Sequence, residues 1–264
     1  MGDADSQKSE PPGSRLPASI TLEIRRHIRD LTSESFEVRS ESVSCLEKFG
    51  EQGAEALVET LLKKPLRHDF LRGFEEAFEE IGKPCARVLL GGLTRIREIR
   101  RAEDVYLVEL FVEALGNLGE RRAVPAVAAQ LGKLNRRIRS NHHRLLTDVC
   151  VAAKVRIHAV LVRLDSRAGL DDLLSMIGDG RHRVPDGVVA ALERIGDRRA
   201  LVPLIRLHAI EERVTFSGAQ LVRTTFREIM RRERIAPNDR VFKDLNGEER
   251  ILLEKLLPRA RHQA

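Results

Sequence analysis

The segment ALGNLGERRAVPAV, residues 114–127, returns later in the chain as ALERIGDRRALVPL, residues 191–204. Two near copies in one chain are typical of proteins built from stacked structural units, so internal repetition constrains this fold more than any other feature. Three weaker copies join the alignment. The five units share one anchor position, which is occupied by Gly50, Gly82, Gly119, Asp165 and Gly196. This pattern predicts a chain that repeats one supersecondary element.

With the exception of Ser42 in the first unit, apolar residues lie one, four, five and eight positions before each anchor, which is one face of an α-helix. A second apolar set lies four and eight positions after the anchor and predicts a second helix. In the third unit the two sets comprise Phe111, Ala114, Leu115, Leu118, Ala123 and Val127. Glycine just past a helix end takes the left-handed conformation that closes the last turn, so the anchor predicts a tight turn. Each unit is therefore expected to be a helix, a turn and a helix.

The residues around the third and fifth anchors, LGERRAVPAV and IGDRRALVPL, resemble bacterial HEAT repeats, and more narrowly the short HEAT-like repeats of phycobilin lyases. The resemblance covers residues 34–208. It implies an all-α fold, a right-handed α-solenoid of about five to six helical hairpins with capping helices. First helices would form the convex face and second helices the concave face. Glu120 with Arg122, and Asp197 with Arg199, match positions that link neighbouring repeats in this family.

The two ends of the chain differ from the repeats. Residues 1–15 are rich in Ser, Pro, Gly and Asp and are predicted to be a disordered tail. Residues 16–33 carry an amphipathic segment that predicts an N-terminal capping helix. Residues 209–264 are predicted to form a degenerate C-terminal capping repeat. The absence of a long apolar run, of a secretory leader and of a C-x-x-C pair predicts a cytoplasmic protein that does not enter a membrane.

Motifs for catalysis or cofactor binding are missing from the sequence. It has no Gly-rich phosphate loop, no G-x-S-x-G, no H-E-x-x-H and none of the His-Glu pairs of the iron-dependent hydroxylase built on HEAT repeats. His142, His143, Asp148 and Cys150 are close in sequence, but adjacent histidines on a helix point about 100° apart, which disfavours chelation. No residues specify the tetrapyrrole site that a bilin lyase would need. The sequence therefore predicts a protein without metal, cofactor or enzymatic activity.

Positive charge is concentrated in the middle of the chain, which has a net charge of +6. Seven basic residues and no acid lie between Glu120 and Asp148. Residues 135–144, NRRIRSNHHR, are expected to be an insertion, or an extension of the fourth unit's first helix, that projects beyond the repeats. The predicted partner-binding residues are Arg95, Arg97, Arg100, Arg101, Arg136, Arg137, Arg139 and Arg144.

Three interpretations of this charge remain open. It is a solvated surface of an arginine-rich protein, a docking face for an acidic protein partner, or a surface for a nucleic-acid backbone. DNA glycosylases with HEAT-like solenoids use aromatic residues at the lesion, whereas this chain has no Trp and only Tyr106 as tyrosine. The leading hypothesis is a non-enzymatic HEAT-repeat scaffold that binds a protein partner through its concave face and the basic insertion. The alternative is a nucleic-acid-binding HEAT-like solenoid.

Overall fold

The computed structural model describes residues 18–140 and 144–257, which form thirteen α-helices and contain no strand. They are α1 (Ala18–Asp30), α2 (Phe36–Lys48), α3 (Gly50–Lys63), α4 (Arg72–Ile81), α5 (Cys85–Arg95), α6 (Ala102–Asn117), α7 (Val124–Ser140), α8 (Arg144–Arg163), α9 (Leu170–Ile177), α10 (Asp186–Ile195), α11 (Leu201–Val214), α12 (Phe216–Arg232) and α13 (Gly247–Leu256). The all-α prediction is confirmed for these residues. The tail predicted for residues 1–15 lies outside them.

The five units correspond to successive helix pairs, from α2 and α3 to α10 and α11. The apolar positions before the anchors are buried in every unit except at Cys45, Phe49 and Leu118, which are half-buried. Those after the anchors are buried except at Ala86 and Leu90, which are also half-buried. Burying one such aliphatic side chain contributes about 1.5–3 kcal/mol, so these repeated faces supply much of the driving force for folding.

Four anchors have the left-handed backbone that the turn requires, with φ between 52° and 69°. They are Gly50, Gly82, Gly119 and Asp165. The prediction is wrong at Gly196, where φ is −59° and ψ is 157°. A Cβ atom there would lie 2.4 Å from the carbonyl oxygen of Leu192 and 2.9 Å from Cδ1 of Ile229. Glycine at this anchor is therefore explained by close packing rather than by backbone conformation.

Helices of neighbouring pairs pack on one another. The first helices contact each other in the order α2, α4, α6, α8, α10 and α12. Among the second helices, α3 contacts α5, α5 contacts α7, and α11 contacts α13. Helix α1 contacts α2 and α3 at the start of this series, in the segment where the amphipathic pattern predicted a helix.

Buried apolar residues form two clusters rather than one. The first extends from Ile24 to Leu164 and the second from Leu170 to Leu256. The boundary falls at the turn between α8 and α9. Helix α8 contributes to both clusters. Its buried residues belong to the first cluster, and its half-buried Val155 and Val162 pack against the second.

Candidate functional site

A cleft of about 210 Å³ lies between the loop that joins α5 to α6 and the C-terminal half of α7. We call it the basic cleft, and its basic lining residues are Arg97, Arg100, Lys133, Arg136 and Arg137. Glu98, Ile99 and Ser140 complete the lining. Because opposite charges are scarce in this lining, the cleft is the strongest candidate for a binding site.

Buried residues hold the loop of the basic cleft in place. Ile96 and Ile99 are buried, whereas Arg97 and Arg100 beside them are exposed. At the end of the loop, Oδ2 of Asp104 accepts hydrogen bonds from the backbone N–H groups of Arg100, at 2.9 Å, and of the next residue, at 3.1 Å. A carboxylate at the first turn of a helix stabilises that turn. The loop therefore has a defined path on which its arginines point outward.

Two cations of the basic cleft donate to backbone carbonyl groups. Nζ of Lys133 donates to the carbonyl oxygen of Ile96, and Nη2 of Arg137 donates to that of Arg100 at 2.9 Å. Burial lowers the pKa of Lys133, and the charge of Arg136 lowers it further. These two bonds tie α7 to the loop and leave both positive charges without a carboxylate.

The remaining cations of the basic cleft differ in their partners. Nε of Arg100 donates to Oε2 of Glu98 at 3.0 Å. Arg97 and Arg136 are exposed, and neither forms an ion pair with any residue that the structure describes. The cleft thus presents five basic side chains and one carboxylate.

The structure brings four of the eight predicted arginines together in the basic cleft and places the other four elsewhere. Arg95 pairs with Glu59 of α3, and their hydrogen bond lowers the pKa of Glu59. Arg101 lies 3.7 Å from Asp104, and Arg144 lies 4.0 Å from Asp148. Arg139 is exposed and does not line the cleft.

Sequence reasoning missed Lys133 as a member of the cleft. It lies three residues before Arg136 and four before Arg137, which places all three on neighbouring positions of one helix. This spacing of three and four residues could have identified Lys133 from the sequence.

The expectation that residues 135–144 are an insertion, or an extension of the fourth unit's first helix, is wrong for residues 135–140. These residues complete α7, the second helix of the third unit. They contain no glycine or proline, and basic residues in a last turn suit the negative end of the helix dipole. His142 and His143 lie outside the described residues.

Four polar residues that the sequence interpretation did not select form a buried network between α7, α8 and α9. Nζ of Lys154 lies 3.0 Å from Oδ1 of Asp172 and donates to Oδ1 of Asn135 at 2.7 Å. Nε2 of His158 lies 2.7 Å from Oδ2 of Asp172. We call these four residues the buried polar network, and they fill the boundary between the two apolar clusters.

The buried polar network compensates its own charges. Burial alone would raise the pKa of Asp172, but hydrogen bonds from His158, Asn135 and Lys154 and the charge of Lys154 bring it down to about 2. Nδ1 of His158 has no hydrogen-bond partner among the described residues and faces Gly169, where a Cβ atom would lie 2.6 Å away. Lys154 and His158 are buried, and the polar groups of the network bond to one another across three helices, so the network joins these helices.

Acid–arginine pairs join neighbouring units at positions close to those that the resemblance implied. Nη1 of Arg199 lies 2.8 Å from Oδ1 of Asp171 in the preceding unit. At the third unit the link is made by Arg121, whose Nη2 lies 2.6 Å from Oδ2 of Asp165. The expected Arg122 is not the partner: its guanidinium forms no ion pair with a described residue, and only its backbone N–H donates to Glu120.

Two of the three cysteines and one histidine of the second apolar cluster's helices are buried. Burial raises the pKa of Cys85 to about 12 and also raises that of Cys150. His208 is a buried packing residue, and burial lowers its pKa; its Nε2 lies 3.5 Å from Nη2 of Arg223. Between residues 18 and 257, apart from 141–143, no three His, Cys, Asp or Glu side chains are grouped to hold a metal ion. Over the same residues, no helix has the length and apolar character needed to cross a membrane.

The basic cleft can bind an anionic group through charge-assisted hydrogen bonds, which are about twice as strong as bonds between neutral groups. Its guanidinium groups can bind a carboxylate or phosphate in bidentate fashion. Comparisons with family models, with curated proteins and with solved structures find no match for this chain.

Proposed function

We propose that the chain is a non-enzymatic HEAT-like scaffold that binds an acidic protein partner at the basic cleft and on the adjoining face of its second helices. The observation that carries the proposal is the set of cations that no described carboxylate neutralises, foremost Arg97 and Arg136. Because buried isoleucines and backbone hydrogen bonds fix the loop and α7, a partner can bind without reordering the cleft, which limits the entropic cost.

The proposed architecture is a right-handed α-solenoid whose second helices line its concave face. The successive contacts from α2 to α12, and from α3 to α7, support it, since each helix pair buries its apolar face against its neighbours. Such a repeat array offers a long binding surface. The three free cysteines support a reducing, cytoplasmic environment.

A protein partner fits the charge distribution better than a nucleic acid does. Backbone binding needs cations along a track of successive phosphates. Here the cations converge on one cleft that also contains Glu98, and the nearby Arg95 and Arg101 are paired with Glu59 and Asp104. Tyr106 packs edge-to-face with His68, at 5.4 Å between ring centroids, so it is not free to stack on a base.

The test compares two charge-matched double variants in affinity capture from the source cells, followed by quantitative mass spectrometry. Arg97→Glu with Arg136→Glu reverses two charges in the cleft. Arg194→Glu with Arg198→Glu reverses two exposed charges that form no ion pair with any described residue. We expect partner enrichment to be lost in the first variant only.

Two results would contradict the proposal. Equal enrichment by both variants would remove the cleft as the docking site. Binding of duplex DNA at low salt that falls steeply at higher salt, and that the cleft variant abolishes, would favour the nucleic-acid function instead. Circular dichroism of each variant checks that the helical fold is retained.

A further inference from the structure

We propose that the basic cleft is a subsite for a phosphate monoester, so that the partner is recognised at a phosphorylated side chain. This inference rests on the proposed function and specifies the chemical group that the cleft binds.

The charge of the cleft exceeds what one carboxylate can neutralise. Arg97 and Arg136 have no described ion-pair partner, and Lys133 and Arg137 contact only carbonyl oxygens. A carboxylate carries one negative charge, whereas a phosphorylated side chain carries about −1.5 to −2 at neutral pH and offers three acceptor oxygens. Several converging donors beside a single carboxylate, Glu98, which is already paired with Arg100, therefore fit a phosphate monoester better.

The donors come from two supports that the fold holds together. Arg97 lies on the loop between the buried Ile96 and Ile99, and Arg136 lies on α7. Lys133 donates to the carbonyl oxygen of Ile96 and so joins the two supports. A tetrahedral group can accept hydrogen bonds from the loop and the helix at once, which a planar carboxylate does less well.

Attachment of the loop to α7 accounts for only part of the cleft. It explains Lys133 and Arg137, which donate to the carbonyl oxygens of Ile96 and Arg100 in the loop. It does not explain Arg97 and Arg136, which stay exposed beside these cations, where their mutual repulsion is unfavourable. The charge of Arg136 contributes to the lowered pKa of Lys133. A bound dianion would relieve this repulsion.

The experiment titrates the full chain with O-phosphoserine, inorganic phosphate and acetate at constant ionic strength, using isothermal calorimetry. We expect the two phosphate probes to bind more tightly than acetate. Binding should weaken about tenfold or more in Arg97→Glu with Arg136→Glu, and should persist in Arg194→Glu with Arg198→Glu. Equal or weaker binding of the phosphates relative to acetate would overturn the inference.

A second measurement separates this inference from the proposed function. The captured partner is treated with phosphatase before it is bound again. Loss of binding after treatment supports the phosphate subsite. Binding that survives the phosphatase but still requires Arg97 and Arg136 overturns the inference and leaves the proposed function intact. If binding survives the phosphatase and is also retained by Arg97→Glu with Arg136→Glu, both the phosphate subsite and the proposed function are overturned.

Discussion

Glu109 of α6 provides a pH-dependent test of the structure. It is 7% exposed, and Arg156 lies 3.7 Å away. Burial raises its pKa from 4.5 to about 7; Glu113 and Glu75 add to the rise, and Arg156 opposes it. Between these two pKa values the folded state holds a proton that the unfolded state has released. Stability from this group is therefore present at low pH and is lost as pH rises from 4.5 through 7.

The size of the effect follows from linkage. One pKa unit corresponds to about 1.4 kcal/mol, so the shift from 4.5 to about 7 amounts to about 3 kcal/mol, most of which is lost between about pH 5 and pH 8. Glu109→Gln keeps the shape of the side chain and cannot ionise. The unfolding free energy of this variant should therefore rise by about 2–3 kcal/mol relative to that of the unsubstituted protein when the pH is raised over that interval.

Urea unfolding followed by circular dichroism at both pH values measures this difference. Glu55→Gln, at an exposed position on α3, is the matched control and should behave alike at the two pH values. The reasoning is refuted if Glu109→Gln differs from the unsubstituted protein by the same free energy at both. A large loss of stability at high pH would refute it too, because the contact with Arg156 would then outweigh the burial of the charge.

Three further predictions concern the network, the anchors and the thiols. Lys154→Met leaves the buried charge of Asp172 without its cation, so urea unfolding should show a loss of about 3–5 kcal/mol, and a loss below 1 kcal/mol would contradict this. Gly196→Ala should cost about 1–3 kcal/mol through its contacts, and more than Gly50→Ala, where only the left-handed backbone opposes the methyl group, at about 1 kcal/mol; the reverse order in thermal melts would contradict this. Of the three thiols only Cys45 is not fully buried, so a colourimetric thiol reagent should show one fast reaction for each folded chain, not three.

The helical pairs could be predicted because their information is local. Spacings of three and four residues reveal a helix face without knowledge of its partner, and the faces so identified are buried. Gly196 shows the limit of this approach. It occupies the same column as Gly119, yet its backbone differs, and its glycine is explained by the close approach of Ile229 from another unit. An alignment of the repeats does not reveal this contact between Gly196 and Ile229.

The binding residues were harder to predict because charge in a sequence does not reveal its partner. Arg95 and Arg97 are neighbours in the basic segment, but Arg95 is paired with Glu59, 36 residues away, whereas Arg97 is not paired with a described residue. The buried polar network likewise combines residues that lie on three different helices and are distant in sequence. Lys154 and His158, four residues apart on a buried helix face, were its one local indication.

The apolar interior is divided into two clusters at the turn after Leu164, and this division affects how the protein unfolds. In the repeat array proposed above, cooperativity is transmitted mainly through the contacts between adjacent helix pairs. At this turn the link depends on α8 and on a few directional polar bonds. Denaturation should therefore proceed in two stages, with the segment on one side of the turn melting while its counterpart keeps its native amide protection.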